Sequence, residues 1–154
     1  MIEYFIHLII LIGIYLILAI SLQLSIGYTG LLNLGHIAFF CIGAYTSALL
    51  ALNGFPFILS LAFAGIVTML FGFILAIPTR KLKGDYLALT TMGFSFVIYA
   101  VALNWAELTR GPLGIAGIPK PVILGISFSS NFTFLILTAI IALLSYFILN
   151  RIVK

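Results

Sequence analysis

Asn33, His36, Gly43 and Ser47 are the first residues whose types and spacing suggest a shared task. At about 100° per residue they fall, together with Phe40, within an arc of about 80°, so a helix through them carries one polar, small-residue face. Polar side chains are costly in hydrocarbon and face either a bundle interior or a water-filled path. Two readings stay open: a packing surface on which His36 hydrogen-bonds a neighbour, or a lining for solute passage. Thr91, Ser95 and Tyr99 share one side of a later segment and extend the candidate pathway set. Ser and Thr in membrane helices also bond their own backbone, which is the structural reading of that side. A third group, Ser60, Ala64, Thr68, Gly72 and Ala76, recurs at every fourth position. Small residues at that spacing let two helices approach closely, so helix packing is expected there and no ligand.

Catalytic constellations are missing. There is no phosphate-binding glycine loop, no paired histidines of the HExxH type and no nucleophile elbow. The only acids are Glu3, Asp85 and Glu107, scattered among different loops, and His7 and His36 are the only histidines. No catalytic residue, metal site or cofactor is therefore expected, and the chain is read as a non-enzyme. With no acid inside a hydrophobic run, ion-coupled secondary transport is disfavoured as well. Cys41 is the single cysteine and lies in an apolar run, where it serves packing.

The elements that must position these residues are membrane helices. Hydrophobic residues make up 64% of the chain and charged ones 6%, against roughly 25% charged residues in soluble domains. In lipid that balance is stable, because apolar side chains meet an apolar solvent and only the backbone needs internal partners. A crossing helix takes about 20 apolar residues. Five segments approach that length, near 5–24, 31–52, 57–77, 86–103 and 132–149. Gly27-Tyr28-Thr29-Gly30 and Asn53-Gly54-Phe55-Pro56 separate the first three, and Pro78 closes the third. The fold class expected is all-α: a polytopic transmembrane helical bundle of about five spans, forming one domain over residues 1–154. The first segment opens with Glu3 and has no basic leader, so it is read as a retained span.

Charge sets the orientation. The net charge of +4 comes from short basic clusters beside apolar runs, a topology signal and not a nucleic-acid face. Arg80, Lys81 and Lys83 place the third loop in the cytoplasm, and Arg151 and Lys154 place the C-terminus there too. The long 104–131 loop then lies outside, with Trp105 as an interfacial anchor and a Gly/Pro-rich run from 111 to 121. Counting back puts the N-terminus outside, and a broken or re-entrant second segment would invert it. Asp85 is expected to pair with Lys83 or to be solvated, and Glu107 is close enough in sequence to meet Arg110.

Three ordered motifs carry a family likeness. The first is Gly27-Tyr28-Thr29-Gly30-Leu31-Leu32-Asn33-Leu34-Gly35-His36-Ile37-Ala38-Phe39-Phe40, continuing through Gly43-Ala44-Tyr45-Thr46. The second runs from Gly84-Asp85-Tyr86 to Thr91-Met92-Gly93-Phe94, and the third joins Asn104-Trp105 to Leu108-Thr109-Arg110-Gly111-Pro112-Leu113-Gly114-Ile115 and Gly117-Ile118-Pro119. Together they resemble the permease subunits of branched-chain amino-acid ABC importers. The resemblance implies a cell-membrane, multi-pass subunit that works with a second permease, two cytoplasmic ATPase subunits and an extracytoplasmic substrate-binding protein, surrounded by lipid and with no role for nucleic acid. Relatives of that family carry Leu, Ile and Val, or urea, short amides and other amino acids. Arg110 and nearby Leu113 depart from the pattern, where many relatives have Gly and Asn. The family continues beyond its fifth span into an ATPase-contacting loop and further spans, so the sequence is read as resembling the N-terminal half of a permease. The alternative reading is a small non-transporting membrane scaffold or remnant half-permease.

Overall fold

The computed structural model describes residues 2–28, 30–123, 126–127 and 130–153. Thr29 of the first motif, residues 124, 125, 128 and 129 of the long loop, and Lys154 lie outside the described residues. The chain is all-α, apart from two dipeptide strands in the long loop among the described residues. Helix α1 is Ile2–Gln23, followed by a π-helical turn Leu24–Tyr28. Next come α2, His36–Leu52, α3, Phe57–Thr79, and α4, Asp85–Asn104. A one-turn helix α5, Ala106–Thr109, and a 3-10 turn Gly111–Leu113 follow. The strands β1, Val122–Ile123, and β2, Ile126–Ser127, precede α6, Asn131–Val153.

Among the described residues, four helical stretches are long and apolar enough to cross a membrane: Glu3–Tyr28, Phe57–Thr79, Asp85–Asn104 and Asn131–Ile152. The second expected span differs. Its helix starts only at His36 and has 17 residues, about 25 Å at the usual rise and short of the hydrocarbon thickness. Residues 31–35 ahead of it are not helical. Gly30 has a positive φ, and Asn33 folds its own side chain back so that Oδ1 accepts the Gly35 amide at 2.9 Å. An Asx turn of this kind offers the backbone a partner other than the helix ladder.

The chain forms two compact units. One combines residues 1–30 with 124–154, and the other is Leu31–Ile123. In the first, α1 packs on α6. A Cβ on Gly13 would lie 2.8 Å from Thr138 Cγ2, so any larger residue there would force Thr138 to shift. Ile10 and Thr138 are buried there, and the Thr138 hydroxyl donates to the Phe134 carbonyl at 2.9 Å.

In the second unit α3 packs along α2. Gly43 faces Thr68, whose Oγ1 would sit 3.2 Å from an added Cβ, and Gly72 faces the Phe39 ring. Ser60, Ala64 and Leu75 are buried in α3, against Ala38 and Ala48 in α2. The small-residue stripe does not run the full helix: Ala76 is exposed, while Leu75 and Thr79 are buried. The reason is geometric. A four-residue step overshoots a turn by about 40°, so from Ser60 to Ala76 the stripe rotates by about 160° and leaves the contact. Helix α4 completes the unit through Leu87, Ala88 and Thr91, all buried, and through the Phe39 and Phe94 rings, whose centroids are 5.6 Å apart. Large side chains such as Met69 and Phe73 are exposed, as expected where the solvent is lipid.

Candidate functional site

The site forms where the non-helical residues 31–35 meet α4. The Leu34 peptide is held at both ends by α4 hydroxyls. Its N–H donates to Thr91 Oγ1 at 3.0 Å, and its carbonyl accepts from Ser95 Oγ, also at 3.0 Å. Thr91 is 2% exposed, and its own proton is directed to the Leu87 and Ala88 carbonyls, 2.9 and 3.0 Å away. That arrangement leaves the oxygen lone pairs for Leu34. The close approach requires Gly35: a Cβ there would lie 3.2 Å from the Thr91 carbonyl oxygen and 3.0 Å from Asn33 Oδ1.

Depth gives this contact its meaning. Thr91 and Ser95 lie about 9 and 15 Å along α4 from its first residue, in a helix about 30 Å long. A helix of that length is long enough to cross the hydrocarbon, and the gripped residue falls between its ends and not at either one. Non-helical backbone at such depth is tolerated only where protein buries it or where it borders a water-filled cavity. Leu31, Leu32 and Leu34 are exposed, Asn33 is half-buried and Gly35 is buried beside Thr91 of α4.

The comparison with known proteins settles the family. A family model described as "Branched-chain amino acid transport system / permease component" matches residues 4–154. The chain belongs to this permease family. It is 40% identical over 165 residues to the high-affinity branched-chain amino acid transport system permease protein LivM of Salmonella typhimurium, covering 92% of this chain and 39% of the relative. The Escherichia coli LivM protein is 39% identical over 165 residues, with the same coverage. The chain thus spans about two-fifths of the length of the curated relatives it matches. No solved structure matches it. It is a multi-pass membrane protein of a transport family, not of an enzymatic one.

Within this permease the expected site residues separate into groups. Asn33, Thr91 and Ser95 come together around the Leu34 peptide. His36 is the first residue of α2 and half-buried. Because α2 begins there, Asn33 is off the helix, and its place beside His36 comes from the turn and not from helical periodicity. Gly43 lies on the α3 side against Thr68, while the Ser47 hydroxyl donates to Ala44 O of its own helix at 3.0 Å. Tyr99, one turn beyond Ser95, is exposed. Thr68 donates to Ala64 O at 2.7 Å, and Ser60 Oγ is buried with no hydrogen-bond partner among the described residues.

Leu34 and Gly35 escaped sequence reasoning. The available signal was two glycines bracketing Asn33 inside an otherwise apolar run, a turn signature within a span. A groove of about 390 Å³ lies between α1 and α6, with Gln23, Tyr28, Tyr146 and Asn150 among its lining. Neither Glu107 with Arg110 nor Asp85 with Lys83 forms an ion pair among the described residues. At exposed sites such pairs gain little over hydration.

Proposed function

We propose that this chain is a membrane-spanning permease subunit of an ATP-driven importer for branched-chain or related amino acids, and that residues 31–36 with Thr91, Ser95 and Tyr99 border its translocation pathway. The observation that carries this is the Leu34 backbone gripped by Thr91 and Ser95 part-way along a helix long and apolar enough to cross a membrane. Interrupted helices of this kind expose backbone groups and helix ends to a solute, the arrangement by which transporters meet a substrate's charged groups inside the bilayer. The α2 N-terminus at His36 presents the positive end of a helix dipole, suited to a carboxylate, and the neighbouring leucines suit an aliphatic side chain. Gly43 and Ser47 continue the same helix towards α3, where packing takes over.

Transport on this reading is alternating access, driven by two cytoplasmic ATPase subunits, shared with a second permease subunit and fed by an extracytoplasmic substrate-binding protein. The basic residues Arg80, Lys81, Lys83 and Arg151 support a cytoplasmic 80–84 loop and C-terminus. The family match gives the non-transporting scaffold no support.

The test is reconstitution of the chain with those partners in proteoliposomes. Uptake of leucine, isoleucine or valine that depends on both ATP and the binding protein is expected. No such uptake from a correctly assembled complex would refute the proposal. Competition by urea, short amides and other amino acids then assigns the substrate class.

A further inference from the structure

The segment after α4 is built as a rigid shelf at the end of the span. Thr109, buried, donates its hydroxyl proton towards the Ala102 and Trp105 carbonyls, 2.7 and 2.8 Å away, and its oxygen accepts the Gly111 amide at 3.1 Å. Gly111, at φ 57°, presses so close to α4 that a Cβ would lie 2.8 Å from the Leu103 carbonyl oxygen. These contacts fold the chain back onto the last turn of α4. The shelf displays Trp105 and Leu108, each about half exposed, and Leu113, which is 92% exposed. Arg110 stands between them in the left-handed region at φ 59°, exposed and without an acidic partner among the described residues. A non-glycine residue there is strained and persists only because the flanking contacts hold it.

We infer that this shelf is a lipid-contact surface: Trp105, Leu108 and Leu113 lie in the interfacial layer of the bilayer, and the Arg110 guanidinium binds lipid phosphate. Three observations select lipid as the occupant. Helix α4, at 20 residues, is about as long as the hydrocarbon is thick, so Trp105 immediately after it falls at the boundary. Tryptophan rings favour that boundary because one part is apolar and the indole N–H wants a wet partner. The unpaired cation beside apolar side chains also fits an anionic headgroup above acyl chains, with the arginine stem lying along the apolar layer. The inference needs α4 to span the membrane and does not rest on the transport proposal.

Trp105 is the only tryptophan in the chain, so its fluorescence reports this surface alone. The 154-residue chain is placed in vesicles of phosphatidylcholine with phosphatidylglycerol, and quenching is compared for lipids brominated near the headgroup end or near the tip of the acyl chains. Headgroup-end bromines are expected to quench about twofold more than tip bromines. Leu113→Asp alters a fully exposed position, so the helical circular dichroism should not change, and it should cut that quenching by about half. In Arg110→Gln, replacing phosphatidylglycerol by phosphatidylcholine alone should no longer alter the quenching, as it does in the parent chain. Water-like emission unaffected by either brominated lipid overturns the inference, and so does quenching that Leu113→Asp leaves unchanged. Shielding of Trp105 only on addition of a soluble binding protein also overturns it, by giving the surface to a protein partner.

Discussion

Replacing Thr91 by valine tests the site with the smallest change of shape. Thr91→Val keeps the branched side chain and removes the oxygen that accepts the Leu34 amide at 3.0 Å. Thr91 is 2% exposed, so no water stands ready to replace it, and a part-buried donor left unpaired costs about 2 kcal/mol. Ser95→Ala removes one of the two ends of the grip and should cost about 1 kcal/mol, since a carbonyl tolerates loss of one partner better than an amide does. The two losses act on the two backbone groups of one residue, so the double variant should fall short of their sum. The assay is amide hydrogen exchange on the chain in bicelles, read at Leu34 and referenced to Phe96 within α4. A cost of about 2 kcal/mol corresponds to about 30-fold faster exchange at Leu34 in Thr91→Val, with Phe96 unchanged. Thr91→Ser keeps the hydroxyl and should remain within about threefold of the parent. If Leu34 exchange in Thr91→Val stays within about twofold of the parent, the hydroxyl does not hold the interrupted segment, and the reasoning fails.

Three packing predictions are independent of that result. Gly35→Ala places a Cβ 3.2 Å from the Thr91 carbonyl oxygen, and since backbone cannot rotate aside, denaturant titration should show a loss of about 1–3 kcal/mol. Gly13→Ala drives a Cβ to 2.8 Å from Thr138 Cγ2 and should destabilise by about 1–2 kcal/mol. Adding Thr138→Ser deletes that methyl while keeping the bond to Phe134 O; a double variant no more stable than Gly13→Ala would show that another contact limits the crossing. Gly111→Ala meets both a positive φ and the Leu103 carbonyl and should loosen the shelf by about 1–3 kcal/mol. Faster proteolysis between Thr109 and Gly114, with the helices intact, is the expected readout.

Periodicity along α3 shows how far local reasoning carries. The spacing of Ser60, Ala64, Thr68 and Gly72 points to a helix that packs closely, because small side chains at successive turns admit a neighbour. The same spacing does not say where the stripe leaves the neighbour, which depends on helix rotation and brings Leu75 and Thr79 inside in place of Ala76. The long loop is similar. Trp105 marks the end of a span by its chemistry, whereas the shelf depends on Thr109 reaching back to Ala102.

Composition and run length decide the solvent and the class. So apolar a chain, with so few charges, satisfies its backbone only as membrane helices, and each long apolar run is long enough for the hydrocarbon because length and hydropathy are local properties. Contacts between distant helices decide where a run stops being helical. Leu31, Leu32 and Leu34 read as membrane helix by composition. The helix nevertheless begins at His36, because the Leu34 peptide finds partners on α4, 57 and 61 residues away in sequence. A backbone group inside the bilayer must bond to something, and which partner it takes is settled by the helix packed beside it.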